Sequence, residues 1–110
     1  VRVVNDQWCS PTYVDHLAYA VCFLVNGGHY GTYHVVNSGA TSWYEFAQEI
    51  FQQAGLCVTV DPISTRQFGA KAARPAYSVL DTSKYDELGG PVMPSWNEAL
   101  VEYLASRPAE

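Results

Sequence analysis

Three segments of the chain open with a serine or threonine that is followed three residues later by an acidic residue. The pairs are Thr12 with Asp15, Ser42 with Glu45, and Ser95 with Glu98. In such a pair each side chain can bond a backbone N–H at the start of a helix, where the backbone donors have no partner inside the helix. An apolar stripe at helical spacing follows each pair. The sequence therefore predicts three amphipathic helices with these starting points.

Short β-branched or apolar runs lie between the helices and predict strands. They cover residues 1–4, the TYHVV run within 31–37, residues 57–60 and residues 78–80. A helical turn is expected around Gln67 and Phe68, and a short helix from Asp81 to Leu88. Alternation of short strands with amphipathic helices predicts an α/β or α+β fold. We expect the core to include Trp43, Phe46 and Trp96, and Trp8 to be partly exposed.

Composition and charge limit the classes of function that are open to the chain. The chain has 110 residues, 48% of them apolar and 15% charged, which is enough for one folded domain. Its net charge of -5 and the lack of a Lys/Arg cluster argue against nucleic acid as a partner. The apolar run at residues 17–25 is too short to cross a membrane and predicts a buried helix. No secretory signal opens the chain, and its three cysteines are widely spaced, so a cytoplasmic location is expected.

The usual motifs of metal sites and active sites are missing. Cys9, His16 and Cys22 lack the short spacings of zinc ligands. No serine lies in a GxSxG elbow, so a hydrolase triad has no support. The NSGATS turn joins a predicted strand to a helix but has one glycine, where a dinucleotide-binding loop needs three. We therefore expect no metal and no cofactor to be bound by this chain itself.

Two polar segments carry the candidate binding residues. The DQWCSPTY segment places Trp8 and Tyr13 in a loop, where binding groups often collect. From the residues alone, Trp8 either fills the edge of the core or contacts a ligand. The AARPAYSVLD segment holds Arg74 beside the rigid Pro75 and close to Tyr77. An arginine in such a place is most often solvated.

Taken in order, these segments resemble a known family. VVNDQWCSPTYVDHLAYAV, TYHVVNSGATSWYEFAQEIFQQAG, RPAYSVLDTSK, and then ELGG and SWNEALVEYL are similar to the C-terminal third of the dTDP-4-dehydrorhamnose reductases. These are extended short-chain dehydrogenases with an NAD(P)-binding Rossmann domain. The resemblance implies that residues 1–110 form a single C-terminal domain that binds a dTDP-sugar, and it assigns Arg74 to the diphosphate. Trp8, Tyr13 and Tyr77 are the further candidate substrate-binding residues.

The chain departs from the family in two ways. Cys9 stands where the family usually has glycine, which leaves the shape of that loop open. The family's GxxGxxG loop and YxxxK pair occur nowhere in the chain, so we expect no catalytic residue here and no activity of the chain alone. Those parts, with NADPH or NADH, are expected in an N-terminal Rossmann domain of a longer parent enzyme that reduces dTDP-4-keto-L-rhamnose. The alternative is a free-standing, non-catalytic binding or dimerisation module derived from such a domain.

Overall fold

The computed structural model describes residues 1–107. Short strands alternate with helices along this part of the chain, as the sequence predicts. The strands are β1 (Arg2–Val4), β2 (Trp8–Cys9), β3 (Thr41–Ser42) and β4 (Asp61–Ile63). The helices are α1 (Val14–Asn26), α2 (Trp43–Gln53), α3 (Thr65–Phe68), α4 (Ser83–Asp86) and α5 (Trp96–Ser106).

The strands form two small sheets. β1 and β4 are parallel, and their last residues, Val4 and Ile63, are paired and only 7% and 8% exposed. β2 and β3 are antiparallel, with Trp8 opposite Ser42. Parallel strands need a long connection, and the chain between β1 and β4 contains β2, α1, β3 and α2. The fold is therefore a mixed α/β arrangement.

The predicted starts of α2 and α5 are confirmed. The Ser42 hydroxyl accepts a hydrogen bond from the Glu45 backbone N–H at 3.1 Å, and Ser95 accepts one from Glu98 at 3.3 Å. The short helix α3 also forms where a helical turn is predicted, and Ser64 caps it. These starts follow from local sequence because cap and donor lie three residues apart.

The start of α1 differs from the prediction. Its N-cap is Tyr13, whose side chain makes no capping bond, and not Thr12. The Thr12 hydroxyl instead donates to the Ser10 carbonyl at 3.1 Å. The Tyr13 backbone N–H donates to the side-chain oxygen of Asn37 at 2.7 Å. The backbone at the N-cap is thus bonded by a residue from a distant segment, and not by a neighbouring side chain.

Three predicted strands are absent from the described residues. Residues 32–36 of the TYHVV run, residues 57–60 and residues 78–80 have no ladder. The strand expected at 57–60 lies instead at Asp61–Ile63, because β1 sets the register: Asp61 N–H donates to Val1 O at 2.7 Å, and Asn5 N–H donates to Ile63 O at 2.9 Å. A strand needs a partner as well as propensity.

The core is small. Its hydrophobic residues, each less than a tenth exposed, are Val4, Ala20, Ile63, Tyr85, Ala99 and Leu100. Phe46 and Trp96 are half-buried and pack edge to face at 5.9 Å, and Trp8 is half-buried as predicted. The expectation for Trp43 is wrong, since it is 45% exposed.

The apolar stripe of α1 faces outward. Val21 and Val25 are 47% and 73% exposed, and Cys22 is also exposed, so the prediction of a buried helix at residues 17–25 is wrong. Ala20 is the residue that this helix buries. The stripe lacks a covering element within residues 1–107.

The molecule is flat. It measures 46 × 36 × 20 Å, and its radius of gyration is 16.1 Å, against about 13 Å for a compact domain of this length. Its accessible surface is 7487 Å², against roughly 6,100 Å² for a compact monomer of this mass. No helix in the described part is both long and apolar enough to cross a bilayer.

Candidate functional site

Strand β2 connects the two segments that carry the candidate binding residues. The Trp8 backbone N–H donates to the Ala76 carbonyl at 2.8 Å, and the Ser78 N–H donates to the Trp8 carbonyl at 2.9 Å. Trp8 is thereby bridged to Tyr77, while its other edge pairs with β3. Bridged residues project to the same face of a sheet, so Trp8 and Tyr77 are neighbours on one face. Tyr77 is 65% exposed there.

A second set of bonds joins the same two segments. The Asp6 carboxylate accepts hydrogen bonds from the Thr65 backbone N–H at 2.9 and 3.1 Å and from the Thr65 hydroxyl at 2.5 Å. Gln7 Nε2 donates to the same hydroxyl at 3.2 Å. Residues 65–78, which we call the basic loop, are thus held at both ends by residues that follow β1.

The basic loop concentrates positive charge. It contains Arg66, Lys71 and Arg74, half of the six basic residues of the chain, and all three are exposed. Within residues 1–107 none of them forms an ion pair; the ion pair found there joins His16 to Glu102. These cations therefore face solvent in the same loop that is bridged through Tyr77 to Trp8. An arginine in this setting can hold two phosphate oxygens with its planar fork of donors.

Tyr13 lies at a different feature, the start of α1. Its hydroxyl donates to Asp15 at 2.8 Å and is 3.2 Å from the Ser106 hydroxyl. The hydrogen bond with Ser106 lowers the pKa of Tyr13, but the bond to Asp15, burial and nearby carboxylates raise it more, so the net pKa shift is upward. At neutral pH this phenol stays protonated and keeps its donor on Asp15.

Beside Tyr13 there is an apolar cavity of about 250 Å³ between α1, α2 and α5. Its walls include Phe46, Trp96 and Leu100. Acidic side chains occupy the first turns of these three helices, namely Asp15, Glu45 and Glu98. The cavity lining includes no basic side chain, so the cavity is less suited to an anionic ligand than the basic loop is.

The backbone at Cys9 has a conformation that does not require the glycine usual in the family. It is part of β2 and pairs with Thr41, and no residue other than glycine has a positive φ in the described part of the chain. Extended backbone accepts a cysteine without strain. Burial raises the pKa of the Cys9 thiol, so this thiol is less ionised, and less reactive, than a solvated one.

Two residues that organise this region were not singled out by the sequence. Asn37 is fully buried and joins the start of α1 to His16 and to the Pro94 carbonyl. Asp6 anchors the basic loop. The only local signal for Asp6 is that it ends an apolar strand, and Asn37 lies in a run predicted as a strand. Neither pattern tells which distant residue the side chain meets.

The side chains of this region were also compared with what a metal ion or an organic ligand requires. No three His, Cys, Asp or Glu side chains among residues 1–107 are arranged to hold a metal ion. The aromatic and basic groups around β2 suit an anionic ligand that also has a flat ring.

Comparison with known proteins identifies this type of fold. The chain superimposes on the dTDP-4-dehydrorhamnose reductase of Bacillus anthracis, solved in complex with NADP, with a TM-score of 0.94 and 45% identity over 97% of this chain and 38% of that one. For the reductase of Clostridium acetobutylicum the values are 0.91, 39%, 96% and 38%. The fold is therefore that of the C-terminal part of an extended short-chain dehydrogenase, as the sequence predicts.

The family follows from the sequence match. The family model described as RmlD substrate binding domain matches residues 1–108, and the chain belongs to this family. It is 47% identical to the spore coat polysaccharide biosynthesis protein SpsK of Bacillus subtilis over 97% of this chain and 37% of that protein. It is 36% identical to the dTDP-4-dehydrorhamnose reductase of Mycobacterium tuberculosis over 96% and 36%. The chain thus spans somewhat more than a third of these relatives.

Proposed function

We propose that this chain binds the dTDP-sugar of a dTDP-4-dehydrorhamnose reductase. The reaction is the reduction of dTDP-4-keto-L-rhamnose to dTDP-L-rhamnose, a step that supplies sugar nucleotide for cell-surface polysaccharides. NADPH or NADH, held by the rest of a longer enzyme, supplies the hydride. The observation that carries the proposal is the bridge between Trp8 and Tyr77, because it unites the two candidate binding segments beside Arg74.

Arg74 is the proposed diphosphate contact. It is exposed, and Pro75 restricts the backbone that follows it. A guanidinium remains charged at any working pH and offers two parallel donors to phosphate oxygens, whereas an ammonium is a single point of charge. Binding energy from the diphosphate, far from the reacting carbon, orients the sugar for hydride transfer.

Trp8 and Tyr77 are proposed to contact the flat parts of the ligand. Their side chains share a face of the sheet, and Tyr77 has most of its surface free. Aromatic rings stack on a pyrimidine base or on the apolar face of a sugar. Tyr13 remains a prediction with weaker support, because its hydroxyl already donates to Asp15.

The exposed faces of the chain fit a proposed cofactor-binding partner domain. Residues 32–36 are predicted as a strand, yet within residues 1–107 no backbone–backbone hydrogen bond joins them to another segment. The Thr32 carbonyl accepts a bond from Lys84 Nζ at 3.0 Å. Such a segment is ready to pair with a further strand. The uncovered apolar stripe of α1, with Val21 and Val25, would be buried by the same domain. We infer that the NAD(P)-binding remainder of a longer enzyme packs here.

The binding test is a calorimetric titration of the chain with dTDP. Arg74→Ala should weaken binding by about 2 kcal/mol, the value of a charge-assisted contact, and Arg74→Lys should recover part of the loss. Arg2→Ala is the matched control, because Arg2 is also an exposed arginine but lies on β1. Unchanged dTDP affinity in Arg74→Ala would return Arg74 to the role of a solvated surface residue.

The catalytic test is a chimera. In it, this chain replaces the matching 38% of the Bacillus anthracis reductase. The chimera should oxidise NADPH with dTDP-4-keto-L-rhamnose, and the chain alone should not, because it lacks the GxxGxxG loop and the YxxxK pair. Turnover by the chain alone would refute the assignment of catalysis to the other domain.

The alternative, a free-standing dimerisation module, uses the same exposed apolar stripe on α1. Sedimentation of the chain distinguishes the two. A stable dimer that binds no dTDP would favour a dimerisation module, and a monomer that binds dTDP would exclude it. A monomer that binds dTDP while the chimera stays inactive would favour the other form of the alternative, a free-standing binding module.

A further inference from the structure

Three consecutive residues hold the two ends of the basic loop. Asp6 and Gln7 bind Thr65 at the first end, through the four hydrogen bonds described above. Trp8 binds the last end, at Ala76 and Ser78. A loop with its ends this close to one short segment is an Ω-type arrangement, in which the anchors decide where the residues between them lie.

Between the anchors the loop has little other support. In the described part of the chain, residues 70–75 make no hydrogen bond to any other segment. Lys71 and Arg74 lie within this stretch and are exposed. Their positions therefore depend on the two ends. The first end follows β4, which is paired with β1, and beyond that pairing it is held by the Asp6 carboxylate and by Gln7.

We propose that Asp6 is a positioning residue for the binding of a nucleoside diphosphate. Its bonds to Thr65 fix the first end of the basic loop, so that Arg74 is already in place when the diphosphate arrives. The inference rests on the proposed function and adds a residue that touches no ligand. Preorganisation of this kind lowers the entropy lost on binding.

The charge of Asp6 and its proposed positioning role have opposite effects on the binding of a diphosphate. Asp6 is an anion close to the start of a cationic loop. Its negative charge alone opposes the binding of a diphosphate, so removing that charge should strengthen binding. The positioning role predicts the opposite, because a released loop must be ordered again by the ligand.

The test is calorimetric titration of the chain and its variants with dTDP and with thymidine, which lacks the phosphates. Asp6→Ala should weaken dTDP binding about tenfold, the size of a modest misplacement of a binding group, and leave thymidine binding unchanged. Asp61→Ala is the matched control: it removes an exposed acidic residue on β4 that makes no hydrogen bond to the loop among residues 1–107. Its dTDP affinity should equal that of the unmodified chain or exceed it.

A double variant identifies the residue through which Asp6 acts. In an Arg74→Ala background, Asp6→Ala should cause no further loss of dTDP affinity, since the group it positions is absent. Thr65→Ser keeps both donors to Asp6 and should bind like the unmodified chain. Thr65→Val removes the hydroxyl donor and should lose about threefold, part of the tenfold effect.

The titrations distinguish a positioning role of Asp6 from a charge effect and from a purely structural role. Equal or tighter dTDP binding in Asp6→Ala overturns the inference and leaves a charge effect. An equal loss for dTDP and thymidine, or a loss that persists without Arg74, overturns it in favour of a purely structural role. If Asp6→Ala does not fold, Thr65→Val, which keeps the Asp6 charge, decides the question with the same titrations. A chain that binds no dTDP overturns the proposed function and this inference together, whereas binding that Asp6→Ala leaves unaffected overturns the inference alone.

Discussion

Asn37 is the polar residue on which the arrangement of α1 and α5 most depends. Its side-chain oxygen accepts from the Tyr13 N–H at 2.7 Å, and its Nδ2 donates to the Pro94 carbonyl at 3.0 Å and is 3.0 Å from His16 Nδ1. The residue is fully buried. Asn37→Ala removes all three bonds and leaves their partners in place.

The magnitude follows from those partners. A buried donor or acceptor left without a bond costs about 1–3 kcal/mol. Tyr13 and His16 are half-buried and can recover some hydration, so each counts at the lower end. We therefore expect Asn37→Ala to lower the free energy of unfolding by about 3 kcal/mol. Asn37→Asp keeps the volume but turns an oxygen toward the Pro94 carbonyl, so it should cost at least as much near neutral pH and less in acid, where a protonated carboxyl can donate.

The assay is urea unfolding of the chain followed by circular dichroism at pH 7. Asn97→Ala is the control, because Asn97 is an exposed asparagine in the first turn of α5 and its loss should change the free energy of unfolding by less than about 0.5 kcal/mol. If Asn37→Ala were no more destabilising than Asn97→Ala, the hydrogen bonds of Asn37 would not support the fold in the way described.

Two further predictions concern stability. Gly39→Ala should lower the melting temperature more than Gly28→Ala. Both glycines have a positive φ, but only the Cβ added at position 39 would lie close to another side chain, 3.1 Å from Trp96. Equal losses would show that the Trp96 side chain moves away at no cost. Burial raises the pKa of Tyr85 in the folded chain. Above pH about 10, where an unfolded tyrosine ionises, the unfolded chain therefore loses the Tyr85 proton more readily than the folded chain does. The free energy of unfolding should then fall as the pH rises. Tyr85→Phe, which also loses a bond to the Pro91 carbonyl, should be less stable at pH 7 but show less of this alkaline fall in melts from pH 8 to 11.

The candidate site was predictable in part. Loop composition marks two segments, one with Trp8 and Tyr13 and one with Arg74 close to Tyr77, and the resemblance adds the diphosphate role of Arg74, which stays a prediction. That Trp8 and Tyr77 are bridged could not be read from the sequence, because they are far apart along the chain and no local pattern encodes their pairing. The contacts of Asp6 with Thr65 could not be predicted from the sequence for the same reason.

What the sequence determined by itself is local. The caps at Ser42, Ser64 and Ser95 involve donors three residues away, so the starts of α2, α3 and α5 follow from neighbouring residues. Strand propensity in contrast proved insufficient at residues 32–36, which have no strand partner among residues 1–107. It was also insufficient at 57–60, where pairing with β1 moved the strand to Asp61–Ile63. Burial also depended on tertiary structure. The sequence alone predicts the apolar stripe of α1. A helix face is buried, however, only where another element covers it, and no element among residues 1–107 covers this stripe.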